Sequence, residues 1–89
     1  MISREDKSAI IHLAARYGAK RVLLFGSGAD PERVAADIDL AVEGIRPADF
    51  FRFYGELLFS LSKPVDLVDL STDSKFTRLV QRDGMALYG

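Results

Sequence analysis

The sequence predicts an α/β domain in which helices pack on a small sheet, and three observations predict it. Stretches of helical and of strand periodicity alternate in the order helix, strand, turn, strand, helix, strand, helix. The length, 89 residues, fits one domain. No linker, repeat or low-complexity segment interrupts it, so residues 1–89 read as a single unit.

Each element has its own signal. Ser3 followed by Asp6 is a variant capping box with Asp in place of the preferred Glu. Ile10, Leu13, Ala14 and Tyr17 then recur at helical spacing up to Gly18, which predicts an amphipathic helix over residues 3–17. Arg21 to Phe25 is a short β-type run stopped by a Gly-Ser-Gly turn, and Asp37 to Val42 is a second strand stopped by Glu43-Gly44. Pro47 suits the first turn of a helix running to about Leu61, and Pro64 opens a third strand, Val65 to Leu70. Ser71 or Thr72 is the expected cap of a last helix that reaches about Arg82.

Composition narrows the function classes. Apolar residues make up 48% and charged residues 28% of the chain, as in an ordinary folded protein and unlike a disordered one. A chain this short hides roughly 60 to 65% of its unfolded surface, so the core is small and a deep private substrate cavity is not expected. Twelve Lys and Arg against thirteen Asp and Glu leave a net charge of −1, with no general electrostatic footprint for nucleic acid. The absence of cysteine removes disulfides, thiolate metal sites and cysteine nucleophiles together. No apolar run reaches the ~18 residues of a membrane span, and the opening MISREDKSAI lacks a signal-peptide core; the expectation is a cytoplasmic protein with no membrane role.

The chemistry concentrates in RVLLFGSGADPERVAADIDLAV, residues 21–42. In a strand, side chains alternate faces, so Asp37 and Asp39 share one face while Ile38 and Leu40 take the other, under the helices. Two like charges so close need a counter-charge, and a divalent cation supplies it. Mg²⁺ prefers hard oxygen ligands and is commonly held by one or two carboxylates together with substrate phosphates. The Gly26-Ser27 turn ends a strand with free backbone N–H groups, and glycine lets a phosphate approach the main chain. In KPVDLVDL, residues 63–70, Asp66 projects opposite to Val65 and Leu67 and joins the other two acids if the strands are neighbours. Three acids beside a phosphate-binding turn describe a two-metal phosphoryl or nucleotidyl transfer site.

The series FGS, nine residues, DIDL and a later VDLV resembles the nucleotidyltransferase domain of the DNA polymerase β superfamily. The likeness is nearest to the minimal nucleotidyltransferases, small prokaryotic proteins paired with a HEPN partner as antitoxin and toxin. It spans residues 21–89, including the ending VQRDGMALYG. The resemblance implies the polymerase β-like nucleotidyltransferase fold, a small mixed β-sheet with helices packed on one face. It makes Gly26 and Ser27 the triphosphate-binding turn, Asp37 and Asp39 the ligands of two Mg²⁺ ions, and Asp66 the third carboxylate, which binds the catalytic ion and helps deprotonate the acceptor. It further implies ATP or another nucleoside triphosphate as substrate and a HEPN-type helical protein, or another acceptor protein, as partner in a homo- or hetero-oligomer.

One departure from that pattern matters. The family commonly reads Gly-Ser-Arg-x-Arg-Gly after the first strand, whereas this chain has Gly28, Ala29, Asp30 and Pro31, with its first basic residue at Arg33. Two missing arginines remove charge-assisted contacts of roughly 1.5–3 kcal/mol each, about a hundredfold or more in nucleotide affinity. Two functions from different classes therefore stand side by side: an enzyme that transfers AMP to a partner hydroxyl, and a catalytically weak antitoxin that neutralises its partner by binding alone. A small α/β module with merely structural acids is the third.

Other residues carry plainer expectations. Asp37 and Asp39 are alternatively solvent-facing residues of a half-exposed strand, although strands disfavour Asp. Asp69 competes with Asp66, but its parity sets it with Val65 and Leu67. His12 lies opposite the apolar stripe of its helix and belongs to the surface. Ser27 has no histidine base and no Gly-x-Ser-x-Gly elbow, so acyl chemistry is not expected. On residues 47–61, Phe50, Phe53, Tyr54, Leu57 and Leu61 form a core stripe, while Phe51, Leu58 and Phe59 extend the apolar surface around the flank; the helix is either well covered by the core or meets another chain with part of this surface.

Overall fold

Along the chain the elements run α1 (Arg4–Arg16), β1 (Arg21–Phe25), a 3-10 turn (Gly26–Ala29), β2 (Ile38–Glu43), α2 (Pro47–Ser60), β3 (Val65–Asp69), α3 (Lys75–Asp83) and β4 (Met85–Tyr88). This computed structural model describes residues 2–30, 32 and 35–89, with the side chain of Ser27 outside the description.

Ser3 caps α1, its hydroxyl accepting the Asp6 N–H at 3.0 Å. The reciprocal half of the expected capping box does not form. Asp6 is one methylene shorter than Glu, and its carboxylate turns to the loop after α2, accepting from the Ser62 N–H at 3.0 Å and the Ser62 hydroxyl at 2.5 Å. Only 4% of Asp6 is exposed, so these donors replace the water it has lost. At the other end Gly18 adopts φ 71°, and the Ala19 N–H reaches the Ala14 carbonyl while the Gly18 N–H reaches that of Ala15. These two bonds reverse the chain into β1.

The sheet has the order β3-β2-β1-β4, with β1 antiparallel to both β2 and β4 and β2 parallel to β3. Strand alternation divides its residues between two clusters. Val22, Leu24, Ile38, Leu40, Val42 and Val65 turn toward α1 and α2, packing with Ile10, Leu13, Phe53 and Leu57. Their intervening neighbours Leu23 and Ala41 turn the other way and pack with Leu70 and Val80, with Phe25 and Val68 at the margin. α1 and α2 thus occupy one face as expected. α3 crosses to the opposite face, because Leu23 and Ala41 need apolar cover there and Val80 gives it.

Two further expectations require correction. The last helix starts at Lys75, later than a cap at Ser71 or Thr72 would place it. Ser74 and Thr77 close a reciprocal box: the Ser74 Oγ accepts the Thr77 N–H at 3.1 Å and the Thr77 Oγ1 accepts the Ser74 N–H at 2.9 Å. The second correction is β4, which the sequence does not predict as a strand and which pairs along the free side of β1. The flank of α2 is left uncovered by this chain: Phe51 and Phe59 are 81% and 93% exposed, and Leu58 is exposed as well. Among the described residues no helix is long and apolar enough to cross a membrane.

Candidate active site

Where β1 ends and β2 and β3 begin, one rung of the sheet holds Phe25 opposite Asp39 and Asp39 opposite Asp66. Register partners on adjacent strands share a face and stand about 4.8 Å apart, so an aromatic ring and two carboxylates form a row. The row lies on the face away from α1 and α2; within it Asp66 is exposed and Asp39 half-buried.

Glycine shapes the middle of the row. Gly26 follows Phe25 with φ 70°, and a β-carbon built there would stand 3.3 Å from Asp39 Cγ and nearer still to its Oδ2. No other residue type suits both that backbone angle and that contact. The close main chain removes water from Asp39, and this desolvation is the first cause of a carboxyl pKa raised above its usual value. The charges of Asp66 and Asp37, together with a hydrogen bond to Asp66, push in the same direction.

The structure therefore brings Asp39 and Asp66 together and sets Asp37, exposed in the bend before β2, within electrostatic reach. Gly26 closes the patch. The Ser27 backbone lies in the 3-10 turn; its side chain lies outside the described residues, as does Arg33, the candidate substitute for a missing family arginine. Asp69 is partnered with Val42, three rungs from the Asp39–Asp66 pair, and accepts the Ser71 N–H at 2.9 Å. It closes the turn after β3. His12 is exposed on α1, across the sheet.

Sequence reasoning missed one cation. Lys63 donates from Nζ to the Ala35 carbonyl at 2.7 Å, and the Ile38 N–H donates to the Pro64 carbonyl at 2.8 Å, so the segment entering β3 fixes the segment that carries Asp37. The only sequence signal was a basic residue just before the third strand, a position that solvent-facing lysines fill as readily.

Among the described residues no group of three or more His, Cys, Asp or Glu side chains is arranged to hold a metal ion by itself. What the chain offers is a carboxylate pair with a third acid beside it. That donor set still fits a hard divalent cation, since Mg²⁺ takes one or two carboxylates and completes its shell with water and phosphate oxygens. The mutual repulsion recorded in Asp39 is what a cation between Asp39 and Asp66 would relieve.

No protein-family model matches the sequence, and no curated protein matches it either. Solved structures do. A toxin–antitoxin complex with AMP-PNP contains a chain 28% identical, aligned over 93% of this chain and 73% of its own length, with a TM-score of 0.76. A candidate minimal nucleotidyltransferase is 33% identical over 92% of this chain and 89% of its own, with a TM-score of 0.74. A tri-AMPylated Shewanella oneidensis HEPN toxin in complex with its MNT antitoxin gives 29% identity over 94% and 70%, with a TM-score of 0.68.

Proposed function

This chain belongs to the minimal nucleotidyltransferases of the kind found in HEPN/MNT toxin–antitoxin pairs, and from that premise we propose that it transfers AMP from ATP to a hydroxyl of a HEPN-type partner protein, with Mg²⁺ as cofactor. The observation that carries the proposal is the register of Asp39 against Asp66 with Gly26 packed on Asp39. A strand pair buried only for stability gains nothing from two facing carboxylates, which are destabilising unless something positive comes between them. The AMP-PNP in one similar complex and the AMPylated toxin in another support ATP over other triphosphates.

In this scheme Asp37, Asp39 and Asp66 hold the metal, and bound divalent cations supply charge neutralisation on the phosphate oxygens. The backbone N–H groups of the Gly26–Ser27 turn bind the β- and γ-phosphates. Asp66, the exposed member of the pair, accepts the proton of the acceptor hydroxyl as its oxygen bonds to the α-phosphorus. The bond from that phosphorus to the bridging oxygen breaks, and pyrophosphate leaves. The acceptor comes from the partner chain, and the exposed α2 flank at Phe51, Leu58 and Phe59 gives that partner an apolar surface to meet.

A second function rests on a specific observation: no arginine follows Gly26-Ser27 before Arg33, and Lys63 is already engaged by the Ala35 carbonyl. A chain short of phosphate-binding cations neutralises its partner by binding alone. Incubation with the partner, Mg²⁺ and labelled ATP, beside Asp37→Asn and Asp39→Asn, distinguishes the two. Label on the partner that disappears in both variants supports transfer. Neutralisation that survives both variants, without label, supports binding alone.

A further inference from the structure

The row on the open face ends in an aromatic ring. Phe25 is the register partner of Asp39 and packs at the margin of the cluster of Leu23, Ala41, Leu70 and Val80. From the first turn of α3, Phe76 sets its ring against Phe25 with centroids 5.9 Å apart and planes at 78°, the edge-to-face geometry aromatic pairs prefer. The Ser74–Thr77 box fixes where α3 begins and hence where Phe76 stands. Phe76 nevertheless remains 51% exposed, so the core does not account for it. The other strongly exposed phenylalanines, Phe51 and Phe59, lie on α2 across the sheet.

We propose that Phe76, backed by Phe25, is the platform on which the base of the nucleoside triphosphate stacks. This rests on the nucleotidyl-transfer function proposed above. Phosphates held at the Gly26 turn and at Asp39 and Asp66 leave the base one ribose away along the open face. On the β3 side the sheet ends in an edge strand whose exposed residue is Asp66; on the β1 side the Phe25–Phe76 pair offers an apolar surface. Phe25 braces the Phe76 ring, so Phe76 loses little freedom when a base covers it. Stacking reads the area of a base rather than the atoms on its rim, so the platform itself favours purine over pyrimidine nucleoside triphosphates and does not separate adenine from guanine.

The test is calorimetric binding of the Mg²⁺ complexes of α,β-methylene-ATP and of inorganic tripolyphosphate to the full chain and to Phe76→Ala, Phe76→Leu and Phe76→Tyr. The Leu variant keeps apolar contact with Phe25 and removes only the aromatic face. The expected result is about a tenfold loss of nucleotide affinity in the Ala and Leu variants, within the range one base stacked on one ring contributes. Tripolyphosphate affinity stays unchanged and the Tyr variant recovers. Nucleotide affinity unaffected by both Ala and Leu, or an equal loss for tripolyphosphate, overturns the platform. Wild-type protein that binds tripolyphosphate as tightly as the nucleotide overturns it too, with the phosphate site left standing. Binding of neither ligand removes the nucleotidyl-transfer function and the platform together.

Discussion

The two faces of the sheet are written by alternate residues of the same strands and have opposite characters. Toward α1 and α2, Val22, Leu24, Ile38, Leu40 and Val42 are fully buried under Ile10, Phe53 and Leu57. On the other face the same strands offer Leu23, Ala41 and Phe25 to the residues of α3, and set Asp39 and Asp66 beside them, half-buried and exposed. A small domain can therefore keep a charged, self-repelling site without losing its fold, because the larger stabilising cluster lies on the opposite side of the sheet. The largest expected effect is on the covered face. Phe53→Ala removes a ring with no exposed surface that packs edge-on against Tyr17 at 5.5 Å, and should cost about 3–5 kcal/mol. Against a total of 5–15 kcal/mol, urea denaturation should show a chain near its folding limit.

A smaller effect of a different kind sharpens the contrast. Asp6 ties α1 to the loop after α2 through Ser62, and Asp6→Ala leaves the Ser62 donors without their acceptor in a half-buried place. The expected loss is about 1–3 kcal/mol, read as a lower urea midpoint with an unchanged slope. Gly26→Ala probes the open face. An L-residue at φ 70° costs about 1–2 kcal/mol, and its methyl group displaces the Asp39 carboxylate. Binding of Mg²⁺ and nucleotide should fall far more than stability does. Equal losses of both would mean that the acidic end supports the fold as much as the apolar face, which would break the comparison.

The legibility of the two faces differs as well. The covered face could be read directly, since Ile38 and Leu40 alternate with acids and Ile10, Leu13 and Ala14 recur at helical spacing, both local patterns. Asp37, Asp39 and Asp66 were legible as residues on one strand face, but parity alone does not make β2 and β3 neighbours. That adjacency depends on α2 carrying the chain over to a parallel strand. β4 was missed because Met85 to Tyr88 is four residues long without polar alternation, and only the free side of β1 makes it a strand. The α3 start was misplaced because Ser71, Thr72 and Ser74 all carry capping hydroxyls, and only the reciprocal bond with Thr77 selects Ser74. The Phe25–Phe76 contact joins residues far apart in sequence and leaves no periodic trace at all.

The smallest expected effect has the opposite sign, and for that reason it tests the division most directly. Burial and the nearby charges of Asp66 and Asp37 raise the Asp39 pKa, so the folded chain binds this proton more tightly than the unfolded chain does. Stability then falls as pH rises from the ordinary carboxylate value through the raised one, and the penalty is fully present above it. In chelator-containing buffer, Asp39→Asn removes the charge while nearly keeping the shape. It should therefore raise the melting temperature at neutral pH by about 1–4 °C, a shift of under ~1 kcal/mol for a domain of this size. The gain should vanish as pH drops below the ordinary carboxylate range, where wild-type Asp39 is itself neutral. Adding Mg²⁺ should lift the wild-type melting temperature toward that of the variant while leaving the variant unmoved, because the cation relieves a repulsion the variant no longer has. A variant less stable than wild type at neutral pH without metal would show that Asp39 contributes to the fold, and the acidic end could no longer be regarded as held in place solely for its chemistry.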